Sequence, residues 1–152
     1  AAYAGLTYLS NAFGLAYGPI QLRISEVLTI LPIFTPAAIP GLAVGCFLAN
    51  IGSFNVADLL FGTLATVMAA ILTYSLRDVK WKGVAWLAML PPVIINAIVI
   101  GFEIFLFYLK ADNFLWGFVI SALQVGLGQL IVCYCFGIPF YLVVKKYKIF
   151  KK

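Results

Sequence analysis

The sequence predicts an all-α membrane protein, a bundle of about six transmembrane helices with both chain ends in the cytoplasm. Three observations predict this class: the composition, the clustering of the charges and the position of the basic residues. Hydrophobic residues make up 64% of the 152-residue chain and charged residues only 10%, and the mean hydropathy is +1.10. An average soluble domain is about 45–50% apolar and about 25% charged. This chain therefore has too few polar side chains to face water on all sides, and we expect lipid to be its solvent.

Charged residues, proline and glycine divide the chain into apolar runs. Because a helix needs roughly 20 apolar residues to cross the hydrocarbon, each run can supply one span and the longest can supply two. We predict one membrane domain over residues 1–152, with spans at residues 1–17, 23–34, 37–51, 56–76, 84–109 and 114–144. Gly18-Pro19 ends the first span, and residues 110–113 connect the fifth to the sixth. The second span is short and contains Pro32, so we expect it to cross obliquely or only in part.

The basic residues predict the orientation. Arg77, Lys80 and Lys82 lie between the fourth and fifth spans, and the C-terminal tail 145–152 is rich in Lys and has no acidic residue. With six spans these two segments fall on the same side, and the positive-inside rule makes that side cytoplasmic. We therefore predict a multi-pass protein of the cell membrane. The net charge of +5 then reflects topology and contact with anionic lipid, and is not evidence for nucleic-acid binding.

Several function classes lack their usual residues. The chain has no His, which removes the commonest metal ligand and proton shuttle. Cys133 and Cys135 are too close together for a zinc knuckle, which uses pairs separated by two to four residues. No Gly-x-Ser-x-Gly segment supplies a nucleophile with its base. We therefore predict no metal, no cofactor and no enzymatic activity.

Polar residues inside the apolar runs are the candidates for a binding site. A charge at the bilayer centre costs several kcal/mol, so such side chains should face the interior of the bundle. The candidates are Arg23, Glu26, Asn50, Asp58, Asn96, Glu103, Gln124 and Gln129, with Trp116 as an aromatic wall. Asn96 and Glu103 lie two helical turns apart on one face, about 10 Å along the axis. Counted from the predicted outer helix ends, these side chains outline a pocket that opens to the outside and closes near the midplane.

Structural roles remain open for several of these residues. Arg23 and Glu26 have the spacing of a helical ion pair. Asn96 and Gln124 could join helices by hydrogen bonds, and Asp58 could simply be solvated near the interface. Glu103 is the hardest to explain by structure alone, because no basic residue of its own span can neutralise it.

Small residues on the first span predict close helix contact. Ala1 and Gly5, and again Ala12 and Ala16, are spaced four apart, as in the small-xxx-small pattern of packed membrane helices. The contact could lie inside the bundle or with a partner protein.

Three segments resemble the QueT family. They are Q-L-R-I-S-E-V-L-T-I-L-P at residues 21–32, T-P-A-A-I-P-G at 35–41 and L-P-P-V-I-I-N-A at 90–97. QueT proteins are the substrate-binding S components of energy-coupling factor (ECF) transporters, which take up precursors of the modified nucleoside queuosine. The resemblance covers nearly the whole chain in order.

The resemblance implies a six-helix S-component fold with its ligand near the outer face. It also implies as partners a transmembrane coupling protein, contacted through Ala1 and Gly5, and two ATP-binding cassette ATPases. The absence of a phosphate-binding G-x-x-x-x-G-K-[ST] loop in this chain agrees with energy supplied by such partners. Many relatives are expected to have Glu where this chain has Gln129, which is a departure from the family pattern.

A 7-deazaguanine base suits the predicted pocket. Its ring N–H and amino group are adjacent donors that one carboxylate can accept together. Arg23, Asn96 or Gln124 could donate to its carbonyl oxygen, and Glu26, Asp58 or Glu103 could accept from the base or from a cationic substituent. The alternatives are an S component for a different vitamin, and a small channel-like or structural membrane subunit.

Overall fold

The computed structural model describes residues 1–16, 22–53, 55–107 and 113–150, and over these residues the chain is helical. Its main elements are α1 (Ala2–Ala12), a 3₁₀ helix (Ile24–Ile33), α2 (Ala38–Ile51), α3 (Thr63–Ser75), α4 (Leu90–Phe107), α5 (Phe114–Leu130) and α6 (Gly137–Tyr147). A π-helical segment, Asp58–Gly62, leads into α3, and a second one, Ile131–Phe136, joins α5 to α6. The 3₁₀ turn Leu87–Met89 leads into α4.

Three of the continuous helical stretches are long and apolar enough to cross a membrane: Asp58–Ser75, Leu87–Phe107 and Phe114–Tyr147. They coincide with the predicted fourth, fifth and sixth spans. The 3₁₀ helix, α2 and α1 fall within the predicted second, third and first spans but are shorter. The all-helical membrane class is therefore confirmed, whereas the count of six crossings and the orientation stay predictions.

Some predicted features lie outside the described residues. These are the turn at Gly18-Pro19, residue Gln21 of the first family-like segment, most of the 110–113 connection, and the last two residues of the basic tail.

The outer surface of the described bundle is apolar. Leu64, Phe107 and Leu123 are each more than half exposed, and many other large hydrophobic side chains are also exposed on this surface. Such a surface is unfavourable in water and favourable against lipid chains. The buried core combines small and branched residues such as Ala65 and Val125 with the larger side chains of Tyr3, Met89 and Tyr141.

The 3₁₀ helix is the unusual element of the fold. Runs of this geometry longer than three or four residues are uncommon, yet this one extends over ten residues and includes Pro32. At about 2 Å of rise per residue it is roughly 20 Å long, which is shorter than the hydrocarbon core of about 30 Å. With three residues per turn, side chains three apart lie in one row. Glu26 and Thr29 lie in such a row, Arg23 directly precedes the helix, and all three are buried.

Two glycines allow close approach around this row. A Cβ at Gly45 on α2 would lie 2.7 Å from the Cβ of Tyr3, so glycine there lets α1 pack against α2. A Cβ at Gly62 would collide with the amide of Asn50. Both contacts bring polar side chains of α1 and α2 towards the 3₁₀ helix.

Candidate binding site

A cluster of buried polar side chains surrounds Glu26. The Tyr3 hydroxyl on α1 donates to Oε1 of Glu26, and Nδ2 of Asn96 on α4 donates to Oε2 at 3.5 Å. Gln129 on α5 is a further hydrogen-bonding neighbour of the same carboxyl group. Each of these side chains is at most 4% exposed. Glu26 therefore links the 3₁₀ helix to three other helices.

Hydroxyl groups of α1 hold the beginning of the 3₁₀ helix in place. Oγ1 of Thr7 donates to Oγ of Ser25 at 2.7 Å, and Oγ of Ser10 accepts the backbone N–H of Ile24 at 3.0 Å. Oγ1 of Thr29 donates to the backbone oxygen of Glu26 at 2.6 Å. These bonds satisfy polar groups at the start of the helix and direct Glu26 into the bundle.

Arg23 lies beside this cluster and is 6% exposed. Its Nε donates to the backbone oxygen of Ala16 and its Nη1 donates to Oδ1 of Asn50, both at 3.0 Å. Nδ2 of Asn50 in turn donates to the backbone oxygen of Asp58 at 2.9 Å. The Asn50 amide thus fixes the guanidinium against the segment that begins with Asp58.

Glu103 and Asp58 form a second acidic element at the same end of the bundle. The two side chains are hydrogen-bonded to one another, and Arg23 is close enough to attract Glu103 electrostatically. A hydrogen bond between two carboxyl groups requires a proton on one of them, because an ionised carboxylate has only acceptors. Glu103 is 1% exposed, and its Oε1 has no hydrogen-bond partner among the described residues. Burying an acceptor without a donor is costly, so this oxygen is suited to a donor from a ligand.

Arg23 and Glu26 therefore take part in different sets of hydrogen bonds. Arg23 bonds to Ala16 and Asn50, whereas Glu26 bonds to Tyr3 and Asn96. The two charges also attract one another.

The structure does not bring every predicted site residue into this cluster. Trp116, near the start of α5, is 66% exposed on the outside of the described bundle. Gln124 on α5 is half-buried, and it does not contact Glu26 through any hydrogen bond found among the described residues. Ala1 and Gly5 are exposed, and a Cβ at Gly5 would meet nothing within 4 Å.

Sequence reasoning missed Tyr3, although a signal was present. Tyr3, Thr7 and Ser10 recur at intervals of four and three residues, which places them on one face of a helix, and all three are buried. A polar stripe on a helix in lipid indicates a face that points into the bundle, so these residues belong with the other site candidates.

The chain is similar to known transport proteins. A family model described as QueT transporter matches residues 1–146. The "Queuosine precursor transporter QueT" of Lactococcus lactis subsp. cremoris (strain MG1363) is 35% identical over 88 residues, which are 55% of this chain and 52% of that protein. The match therefore spans about half the length of this relative. No solved structure matches the chain.

Proposed function

The chain belongs to the QueT transporter family, and on that premise we propose that it is the S component of an ECF-type importer for a queuosine precursor. It binds the 7-deazaguanine base from outside the cell membrane and delivers it to the cytoplasm. The observation that carries this proposal is the cluster of buried acids, amides and one arginine in a protein whose outer surface is apolar. Such groups are costly in lipid and are typical of a substrate site.

Glu103 is our first candidate for pairing with the base. Both oxygens of Glu26 already accept hydrogen bonds, from Tyr3 and Asn96, whereas Oε1 of Glu103 lacks a donor among the described residues. The adjacent N–H and amino donors of a deazaguanine could pair with Glu103, one satisfying Oε1 and the other replacing the hydrogen bond to Asp58 at the second oxygen. In this arrangement Glu26 holds the surrounding helices together and Glu103 recognises the ligand.

Other residues of the cluster complete the proposed recognition. Arg23 interacts electrostatically with Glu26 and Glu103 and would bond to the carbonyl oxygen of the base, while Asn50 keeps its guanidinium in place. Asp58, beside Glu103, would attract a cationic aminomethyl substituent. Asn96 and Gln129 would adjust their amides around Glu26 as the ligand enters.

Binding of purified full-length chain to three bases tests the proposal. Calorimetric titration with the nitrile precursor, the aminomethyl precursor and queuine should give saturable binding of one ligand per chain for at least one of them. A second vitamin of different shape, such as riboflavin, is the control. Binding of riboflavin in place of the bases would make the protein an S component for another vitamin. Failure of all ligands to bind would favour a channel-like or structural subunit.

The exposed small-residue face of α1 supports the proposed partners. We expect Ala1 and Gly5 to contact a transmembrane coupling protein that acts with two ATPases. In this proposal both chain termini lie on the cytoplasmic side of the membrane.

Gly5→Leu should abolish ATP-driven uptake in the assembled transporter while ligand binding is kept, because the space beside Gly5 is empty in the isolated chain. Gly41→Leu is the matched control, since Gly41 on α2 is also exposed and a Cβ added there would meet nothing within 4 Å. Equal loss of uptake in both variants would contradict this contact.

A further inference from the structure

A cleft lies at the opposite end of the described bundle from the cluster of buried polar residues around Glu26 and Glu103. The cluster is built at the beginning of the 3₁₀ helix and at Asp58 before α3, whereas this cleft is built where the 3₁₀ helix, α3 and α6 end. Its volume is about 930 Å³. Aromatic rings form part of its wall: Phe34 packs on Tyr141 with 5.0 Å between ring centroids and on Phe150 with 6.5 Å.

Basic side chains from two segments, the connection after α3 and the end of α6, line this cleft. They are Arg77, Lys80, Lys145 and Lys148, and the acid that accompanies them in the lining is Asp78. Asp78 lies 3.7 Å from Nε of Arg77 and its side chain is 74% exposed, so it compensates little of the positive charge. A concave surface of one charge concentrates the field and attracts a multivalent anion.

Two of these cations are anchored and two are not. Nζ of Lys145 donates to the backbone oxygen of Gly83 at 2.8 Å, and Nη1 of Arg77 donates to the backbone oxygen of Tyr74 at 3.0 Å. The side chains of Lys80 and Lys148 make no hydrogen bond or ion pair within the described part of the chain. The anchored pair shapes the cleft, and the other two cations can turn towards a ligand.

An apolar groove continues from the cleft at Lys80, which lines both. The groove has a volume of about 240 Å³, and its other walls are Val79, Trp81, Trp86, Leu87 and Tyr134. Trp81 is 67% exposed and Leu87 is 44% exposed. A positive cavity joined to an exposed apolar groove, with Trp and Tyr at the junction, has the polarity profile of a membrane interface.

We propose that the cleft and groove together bind an anionic phospholipid, with the phosphate headgroup among the four basic residues and an acyl chain along the groove. A soluble anion would use only the cleft, and the adjoining apolar wall is what favours a lipid. The site is distinct from the proposed base-binding cluster and does not depend on that proposal.

The test compares two pairs of lysines at the same end of the protein. The variant Lys80→Gln/Lys148→Gln removes the two unanchored cations of the cleft, and Lys82→Gln/Lys146→Gln removes two cations from the same segments outside its lining. Both variants and the unmodified full-length chain are placed in phosphatidylcholine nanodiscs, into which phosphatidylglycerol or cardiolipin is titrated. Melting temperature and lipid bound in native mass spectrometry are the readouts.

The unmodified protein and the outer-pair variant should be stabilised by anionic lipid at the same concentrations. The cleft-pair variant should require about 30-fold more lipid for the same effect, because two cations near the headgroup are lost. Equal weakening in both variants would overturn the proposal in favour of general surface charge. An equal shift with inorganic phosphate or glycerol 3-phosphate would overturn it in favour of a soluble anion.

A groove variant keeps the proposal testable if the cleft-pair variant folds poorly. Leu87→Ser changes an exposed side chain and leaves all charges in place. It should weaken binding of long-chain phosphatidylglycerol and leave binding of the six-carbon form unchanged. Unchanged binding of the long-chain lipid would remove the groove from the site.

Discussion

The two ends of this bundle treat charge in opposite ways. At one end Arg23, Glu26 and Glu103 are almost completely buried, and each forms hydrogen bonds with neighbouring groups: Arg23 with Asn50, Glu26 with Tyr3 and Glu103 with Asp58. At the other end four cations surround an open cleft in which a single exposed acid lies among them. Charges taken out of water must be paired or hydrogen-bonded, whereas charges at a surface can share one sign because water and counterions screen them. Burial, more than residue type, therefore separates a specific binding site from a surface of general positive charge.

The largest expected effect is in the labelling of single cysteines, because each cysteine should react with the reagent either completely or not at all. In a Cys135→Ser background, cysteine at position 80 should react with an impermeant maleimide only after the membrane is opened, because the basic end is predicted to be cytoplasmic. A cysteine at position 112 should react in intact cells. Cys46 and Cys133 are buried and should contribute little background. Reaction of position 80 from outside would reverse the two ends and move the acidic cluster to the cytoplasmic side.

Glu103→Gln should produce the largest change in ligand affinity. The substitution keeps the shape of the side chain but replaces one acceptor with a donor opposite the proposed paired donors of the base. The loss should be about 2–4 kcal/mol, a factor of roughly 30 to 1,000 in the dissociation constant. Calorimetry measures the affinity, and the melting temperature of the same sample should be little changed, because an acceptor without a partner among the described residues is removed.

Two outcomes would revise the role of Glu103. Unchanged affinity in a well-folded Glu103→Gln protein would remove this residue from the site and leave Glu26 or Asp58 as the base-pairing acid. A lower melting temperature with affinity reduced only through misfolding would indicate a structural role for its contacts with Asp58 and Arg23.

Glu26→Gln tests the structural role of the second buried acid. Its effect should be smaller than that of Glu103→Gln and should fall mainly on stability. The new amide would face the donors of Tyr3, Asn96 and Gln129 in place of a carboxylate that accepts from them. Because the tyrosine hydroxyl can rotate and accept, we expect a loss of about 1–3 kcal/mol of unfolding free energy. Thermal unfolding in detergent measures it, with Glu103→Gln as the matched substitution. A protein of unchanged stability that no longer binds the base would show that Glu26 is the recognising acid.

Much of the fold could be predicted because it follows from local patterns. Charges and prolines delimit the helical segments, and the structure has helices within each predicted span. The prediction that polar residues of these spans face inward agrees with the burial of Asn50, Asn96 and Gln129. The 3₁₀ geometry of residues 24–33 was not predicted, because the same apolar run with an internal proline suits several helical forms.

The site was harder to predict than the segments. Trp116 is predicted to lie beside the ligand, and the structure shows its side chain mostly exposed on the outside of the described bundle. The face that a helical residue presents depends on how the neighbouring helices pack. Tyr3 was not considered, although it bonds to the central acid of the cluster.

The sequence by itself determined that this protein is helical, lies in a membrane and has few buried charges, since composition and the spacing of apolar residues are properties of the chain alone. Helix packing sets which carboxyl oxygens have donors and which do not. Tyr3 and Asn96 lie 23 and 70 residues from Glu26 along the chain, yet both donate to it, while Oε1 of Glu103 is enclosed without a donor among the described residues. A hydrogen bond depends on distance and direction in space, and helix packing sets both.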